Sequence, residues 1–322
     1  MADKFLTHAL ELPVSSAGLR LDQALALALP QYSRAQLQRF LRAGDVQVEG
    51  RAPKASEHVV GGEHVQVKAQ PRLDTRVEPE SLPLDIVYAD ETLLVVNKPA
   101  GLVVHPGAGN RAHTLQNALL GFDPALAGVP RAGLVHRLDK DTSGLLVVAR
   151  TAEAHVRLAA AMQTRAIGRE YLAVCVGAVR RGDTVDRPIG RHPTQRTRMA
   201  VRSDGRAAIT HYHVAERFKA HTLLRVVLET GRTHQIRVHL AHLGHPLLGD
   251  SDYNKRRTGA VTRVGKGNRA AQLITRFPRQ ALHAAQLSFT HPFSGEALRF
   301  VAPIPADMGA LLRALRTLEK PT

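Results

Sequence analysis

The sequence has a single cysteine, Cys175, among its 322 residues and so offers no internal disulfide. That agrees with a reducing compartment, in which stability must come from packing. No apolar run approaches the length needed to span a bilayer, and "MADKFLTHALELPVSS" lacks the apolar core and small-residue cleavage site of a secretory signal. The expectation is a soluble, cytoplasmic protein without a membrane partner. Internal repeats and low-complexity tracts are also absent, which excludes repeat arrays and fibrous architectures.

Acidic residues are the second shortage: 28 stand against 44 basic ones, a formal charge of +16. Residues 1–75 carry 9 basic and 8 acidic side chains, residues 76–150 carry 7 and 8, and residues 151–322 carry 28 and 12. The whole excess therefore lies in the C-terminal half. It concentrates in Arg165 to Arg206, with 10 basic and 4 acidic residues, and in Asp252 to Gln280, with 8 and 1. Charge runs are commonly only a solvated face. An excess this large also draws in polyanions, and a nucleic-acid backbone fits it best, because each neutralised phosphate releases counterions.

With 44% hydrophobic residues the chain can bury a sizeable core, and its length suits one large domain and one small one. In "LRLDQALALALPQYSRAQLQRFLRAGDVQVEGR", Leu21, Leu25, Ala28 and Leu29 recur at helical spacing. Pro30 stops that helix, Ser33 and Gln36 make a capping box for a second, and Gly44 is placed to end it. Alternating Val46 and Val48, then Val65 and Val67, predict short strands. The stretch "QPRLDTRVEPESLPLD" reads as a linker, placing a small domain at 1–75 and a large one at 76–322.

In the large domain, "LDIVYAD", "LLVVNKPAGLVVHPG", "GLLVVAR" and "REYLAVCVGAV" predict strands, and "AEAHVRLAAAMQTRAI" an amphipathic helix. "HYHVAERF", "HTLLRVVLETG" and "THQIRVHLAHLG" predict further extended segments, and "ADMGALLRALRTL" a closing helix. Short turns join many of these, so the fold class expected is α+β: a mixed, largely antiparallel sheet flanked by helices, plus a small N-terminal α/β domain.

Several chemistries fail on spacing. His234, His239, His242 and His245 fit no zinc pattern, and neither carboxylate nor cysteine accompanies them; histidines on a basic surface near RNA explain them better, and no metal is expected. "GAVTRVGKG" has five residues between its glycines, and Gly267 stands where a phosphate loop needs Ser or Thr. "HPGAGN" lacks dinucleotide spacing, so no nucleotide cofactor is indicated. Ser143 sits in no G-x-S-x-G elbow, and "DTSG" is one residue too long for the aspartic-protease turn.

What remains is "GLVHRLDKDTSGLLVVAR", in which Asp139 lies between Arg137 and Lys140 at the mouth of an apolar strand. Flanking cations favour an ionised carboxylate, which can act as nucleophile or base. An aspartate that merely caps the turn fits the residues equally well.

"HRLDKDTSGLL" resembles the signature of the pseudouridine synthases that act on ribosomal RNA, and "ETGRTHQIRVHLAHLGHPLLGD" resembles their second long motif. "VNKPAGLVVHPG", "REYLAV", "RQALHAAQLSFTHP" and "APIP" follow in family order, and the pattern is most similar to the D type that modifies the large subunit. Residues 1–75 look like the S-four RNA-binding domain, whose helix pair and hairpin sit against an RNA stem. The resemblance implies an isomerase that breaks the uridine N-glycosidic bond, turns the base and rejoins it through C5, with no cofactor. It implies Asp139 as the catalytic carboxylate and Tyr171 as the aromatic that stacks on the target base and helps move its proton. Arg237 would be the cation paired with Asp139, Arg137 the arginine entering the space left by the target uridine, and Leu282 the apolar wall of the base pocket. Attack at uracil C6, attack at ribose C1′ and proton abstraction at C2′ all remain open to a carboxylate. The partners implied are a stem-loop of large-subunit (23S) ribosomal RNA and the large subunit or its precursor. Transfer RNA as the substrate, and a non-catalytic RNA-binding ribosome-assembly factor, are the alternatives. The basic, glycine-dotted stretch from Asp252 to Gln280 is expected to be a flexible loop closing over RNA.

Overall fold

The structure, a computed structural model, describes residues 6–29, 32, 34–69, 77–107, 109–195, 197–254 and 269–318. The chain divides into two compact units, residues 1–76 and 77–322.

In the first unit, helices α1 (Leu21–Ala28) and α2 (Arg34–Ala43) pack on a three-stranded sheet. Its strands β1 (Leu6–Glu11), β2 (Val46–Val48) and β3 (His64–Ala69) run in the order β1-β3-β2, antiparallel throughout. Leu21, Leu25, Leu37, Val46 and Val67 form the core. The fully buried Asp22 joins the helices, accepting from Arg20 at 3.2 Å, Arg34 at 3.0 Å and Gln38 at 2.5 Å. Gly44 leaves α2 with φ +79, the left-handed geometry that glycine adopts without strain. Pro30 and Ser33, read as helix stop and cap, lie outside the described residues, as does the side chain of Gln36. Strand β1 had no sequence expectation.

The second unit is built on a nine-stranded sheet of β4 (Ile86–Ala89), β5 (Leu93–Lys98), β6 (Ser143–Ala149), β7 (Gly168–Val176), β8 (Asp183–Asp186), β11 (Ile209–Arg217), β12 (His221–Leu228), β13 (Leu282–Thr290) and β14 (Ala297–Val301), with β9 (Ile189–Arg191) and β10 (Met199–Val201) forming a separate antiparallel pair. The order is β4-β5-β6-β13-β7-β12-β11-β8, and β14 pairs with the second half of β13. Every pairing is antiparallel except β6 with β13, which touch only at His283 opposite Ser143 and Ala284 opposite Gly144. The fold is thus α+β with a mixed, largely antiparallel sheet. The continuous apolar runs of β5 and β6 follow from burial on both faces. Leu94, Val96, Leu146 and Val148 face the core that includes Leu115 and Leu119 of α3 (Leu115–Phe122), while Leu93, Val95, Leu145 and Val147 face Ala154 and Leu158 of α4 (Ala152–Gln163). Two further helices, α6 (Arg269–Thr275) and α7 (Ala306–Leu318), share a third core with Phe218 and Val174.

Four expectations need correction. "THQIRVHLAHLG" is not extended: it holds helix α5 (Gln235–His242), whose residues 235–240 are all buried. Its alternation of Ile236, Val238 and Leu240 with Gln235, Arg237 and His239 looked like a strand because the polar positions are buried and hydrogen-bonded as well. In "VNKPAGLVVHPG" the strand ends at Lys98, and the remainder makes only isolated bridges such as Val103 with Thr114. The second half of the linker belongs to the large unit, where the Glu78 carbonyl accepts from Asn117 at 2.8 Å and the Glu80 amide donates to the Asn117 carbonyl at 3.0 Å. The closing loop was expected over all of 252–280, but Arg269–Thr275 within it form helix α6; residues 255–268 lie outside the described residues. Among the described residues no helix is long and apolar enough to cross a membrane.

Candidate active site

The loop 136–142 enters β6 at the point where β6 meets β13, and a Cβ on Gly144 would lie 2.2 Å from the Ala284 carbonyl oxygen. With φ +115, only glycine fits there, which gives "DTSG" its physical meaning. The loop's backbone is then held by cations and donors from below. Lys98, fully buried, donates from Nζ to the carbonyls of Pro99, Leu102 and Lys140 at 2.8, 2.8 and 2.9 Å. Burial pulls this amine down to about 7, while the charges of Asp141 and Asp139 pull it back up. Arg279 donates to the Asp141 carbonyl at 3.0 Å and grips Asp307 of α7 at 2.7 and 3.0 Å. Gln280 donates to the Thr142 hydroxyl at 3.2 Å. Three attachments thus hold residues 140–142, and the Asp139 side chain, 16% exposed, lines the cleft beside them.

Opposite it stands Arg237, on α5. Its guanidinium makes two hydrogen bonds to the buried Asp250, 2.7 and 2.9 Å long, one to Asp252 at 2.7 Å and one to Asp139 at 3.2 Å. Arg237 therefore meets Asp139, as anticipated, but through the longest of its four bonds. Asp250 is the anchor, with the two-point geometry that fixes a planar fork. Burial alone would pull the guanidinium down; the Asp250 hydrogen bonds, with the charges of Asp250 and Asp139, outweigh it and hold it above the ordinary arginine range.

Histidine 234, also expected on a basic surface, is instead half-buried beside Asp139, with Nε2 3.9 Å from Oδ1. Burial depresses it, against the opposing pull of Asp139, so the neutral ring is favoured. Its Nδ1 lies 2.8 Å from the Tyr253 hydroxyl, which already accepts the Met199 amide at 2.8 Å. His239 is fully buried, bonded to Thr210 at 2.8 Å and to the Arg187 carbonyl at 2.9 Å.

Tyr171, on β7, has its ring buried. Burial pushes its hydroxyl up, Arg169 pulls it down and Asp139 pushes it up, so both charges act on the phenol. Leu282 opens β13 and packs in the same core cluster as Tyr171. Arg137 is exposed. These five residues all line one cleft of about 960 Å³. Asp250, Asp252, Tyr253, His234 and Lys98 had no role in the site that the sequence reading assembled; two carboxylates within an otherwise basic stretch, "GDSDYN", were the available signal. Among the described residues, no group of three or more His, Cys, Asp or Glu side chains is gathered to hold a metal ion.

A family model described as RNA pseudouridylate synthase matches residues 92–242, which span Asp139, Tyr171 and Arg237. The Ribosomal large subunit pseudouridine synthase D of Xanthomonas campestris pv. campestris is 51% identical, over 94% of this chain and 91% of its own. The chain belongs to the RNA pseudouridylate synthase family. A pseudouridine synthase of the same name from Nitrosomonas europaea is 52% identical, over 97% of this chain and 89% of its own. The solved structure of Human RNA Pseudouridylate Synthase Domain Containing 4 shares the fold, with TM-score 0.56 and 27% identity over 72% of this chain and 92% of that one. As an RNA pseudouridine synthase, the protein is an isomerase with an RNA substrate, and its basic C-terminal half accords with that substrate.

Proposed function

We propose that this enzyme converts specific uridines of large-subunit ribosomal RNA to pseudouridine, with Asp139 as the catalytic carboxylate. The observation that carries the proposal is the contact of Asp139 with Arg237, 3.2 Å long, in a cleft that Tyr171 also lines. In the reaction the C1′–N1 bond breaks and a C1′–C5 bond forms, while a proton leaves C5 and N1 gains one. Atoms balance within the substrate, so the chemistry calls for no cofactor. Asp139 supplies the base or nucleophile, at C6, C1′ or C2′. Arg237 supplies the positive charge that faces it, and the His234 ring stands 3.9 Å from its other oxygen. Tyr171 stacks on the flipped uracil and helps move its proton, while Leu282 walls the base pocket. Arg137, exposed at the rim, fills the gap left in the RNA stack.

Residues 1–75 act in this reading as an S-four-like RNA-binding domain beside a catalytic domain of 76–322. The helix pair and the antiparallel pairing of β2 with β3 support that. The target is a stem-loop in the large subunit or its precursor, in the cytoplasm. The names carried by relatives about 50% identical along nearly the whole chain favour ribosomal over transfer RNA. Mapping pseudouridines in total RNA from cells with and without the protein tests this. Loss of discrete large-subunit sites is expected; loss confined to transfer RNA would move the substrate, and no loss at all would remove the function.

A further inference from the structure

Arg169 is 6% exposed, lines the active-site cleft, and its guanidinium makes no hydrogen bond or ion pair with any described residue; its Nε is buried without an acceptor. Buried arginines are normally matched by a carboxylate, since an unpaired buried charge is strongly unfavourable. The carboxylates nearby are committed elsewhere: Glu170 to Arg225 at 2.7 Å, and Glu229 to His211 at 2.7 Å and to Arg165. Room for the guanidinium comes from Gly231, where a Cβ would stand 2.7 Å from the Arg169 Nη1. The neighbouring His136 tells the same story. Its Nε2 accepts the Val147 amide at 3.1 Å, so the ring hydrogen is on Nδ1, which is buried and has no acceptor. Burial and the Arg169 charge hold this ring down to about 3, hence neutral. Seven arginines line the cleft against two carboxylates, Asp139 and Glu229. This wall is short of acceptors, not donors.

We propose that Arg169 is a built anion receptor that takes one backbone phosphate of the RNA strand carrying the target uridine. Arg169 and Tyr171 alternate on one face of β7, so they stand about 7 Å apart along the strand, a spacing that lets base and backbone of one nucleotide be held together. The free enzyme thus carries a cation awaiting its counter-ion, and the RNA supplies it. The inference rests on the cleft being the RNA site, but not on which residue performs the chemistry.

The test uses the full-length protein and a short stem-loop RNA carrying a mapped target uridine. For Arg169→Gln, the slope of log affinity against log salt should fall by about 0.7–0.9, one phosphate contact, whereas Arg169→Lys should keep it. Replacing single phosphates near the uridine with neutral methylphosphonates should weaken wild-type binding about tenfold at one position, and that position should be silent in Arg169→Gln. An unchanged salt slope, or equal methylphosphonate losses in both proteins at every position, would overturn the proposal. If Arg169→Gln does not fold, the wild-type scan decides alone: no sensitive phosphate means no receptor. Tight binding of the stem-loop by an Asp139→Asn protein that still isomerises would instead sink the catalytic assignment and leave this inference standing.

Discussion

Asp250 does not itself line the cleft yet should govern what happens there. It supplies two of the four hydrogen bonds on Arg237, and at 1% exposure it is a carboxylate with no recourse to water. Asp250→Asn keeps the shape, retains one acceptor oxygen and removes the charge. Breaking a buried ion pair outright costs about 3–5 kcal/mol, and the amide should recover part of that, leaving a loss of about 2–3 kcal/mol. For a unit of this size the melting temperature should fall by about 5–10 °C. The larger effect is positional. Arg237 would be held mainly by Asp252 and Asp139, and displacement of a positioned group by about 1 Å can lower turnover ~100-fold. Single-turnover pseudouridine formation at 25 °C, beside RNA binding by titration, separates the two consequences. The rate should drop about 100-fold with RNA affinity within a factor of about three. A rate within threefold of wild type, in a folded variant, would refute the view that Asp250 sets the geometry of the Arg237–Asp139 contact.

Other expectations follow from the same geometry. Gly144→Ala forces a Cβ to within 2.2 Å of the Ala284 carbonyl oxygen at φ +115 and should unseat the start of β6; loss of soluble folded protein, or a fall in melting temperature, is expected, and an unchanged melting curve would contradict it. His136 is depressed from 6.5 to about 3, so the unfolded chain takes up a proton there before the folded one does. Stability from this group is full above pH 6.5 and is lost as pH falls toward 3; His136→Gln should therefore lose about 3 kcal/mol less than wild type between pH 7 and pH 4, by urea denaturation at each pH. Deleting residues 1–75 should leave a folded enzyme that binds RNA more weakly, and an unfolded product would show that the two units do not fold independently.

Much of this was legible in the sequence. Continuous apolar runs identified β5 and β6, and helical spacing identified α1, α4 and α7, because in those elements burial follows the period of the backbone. The motif residues Asp139, Tyr171, Arg237, Arg137 and Leu282 come from four distant parts of the chain, and the fold brings them to one cleft. Helix α5 was misread because pattern reasoning assumes that polar residues face water, and Gln235, Arg237 and His239 do not. Asp250 escaped for a related reason: nothing in "LLGD" distinguishes a solvated turn aspartate from one sealed against an arginine thirteen residues earlier. Helix α3 had a local signal that passed unused, since the Thr114 hydroxyl accepts the Asn117 amide at 3.3 Å and the Asn117 side chain accepts the Thr114 amide at 3.1 Å.

The most direct measurement is turnover of Asp139→Asn on the mapped stem-loop RNA, with binding followed in parallel. The side chain changes by one atom, its bond to Arg237 can persist, and only the carboxylate is lost. Binding comparable to wild type with no detectable pseudouridine is the predicted result. Product accumulating at a rate near that of wild type would contradict the central claim that this carboxylate performs the isomerisation.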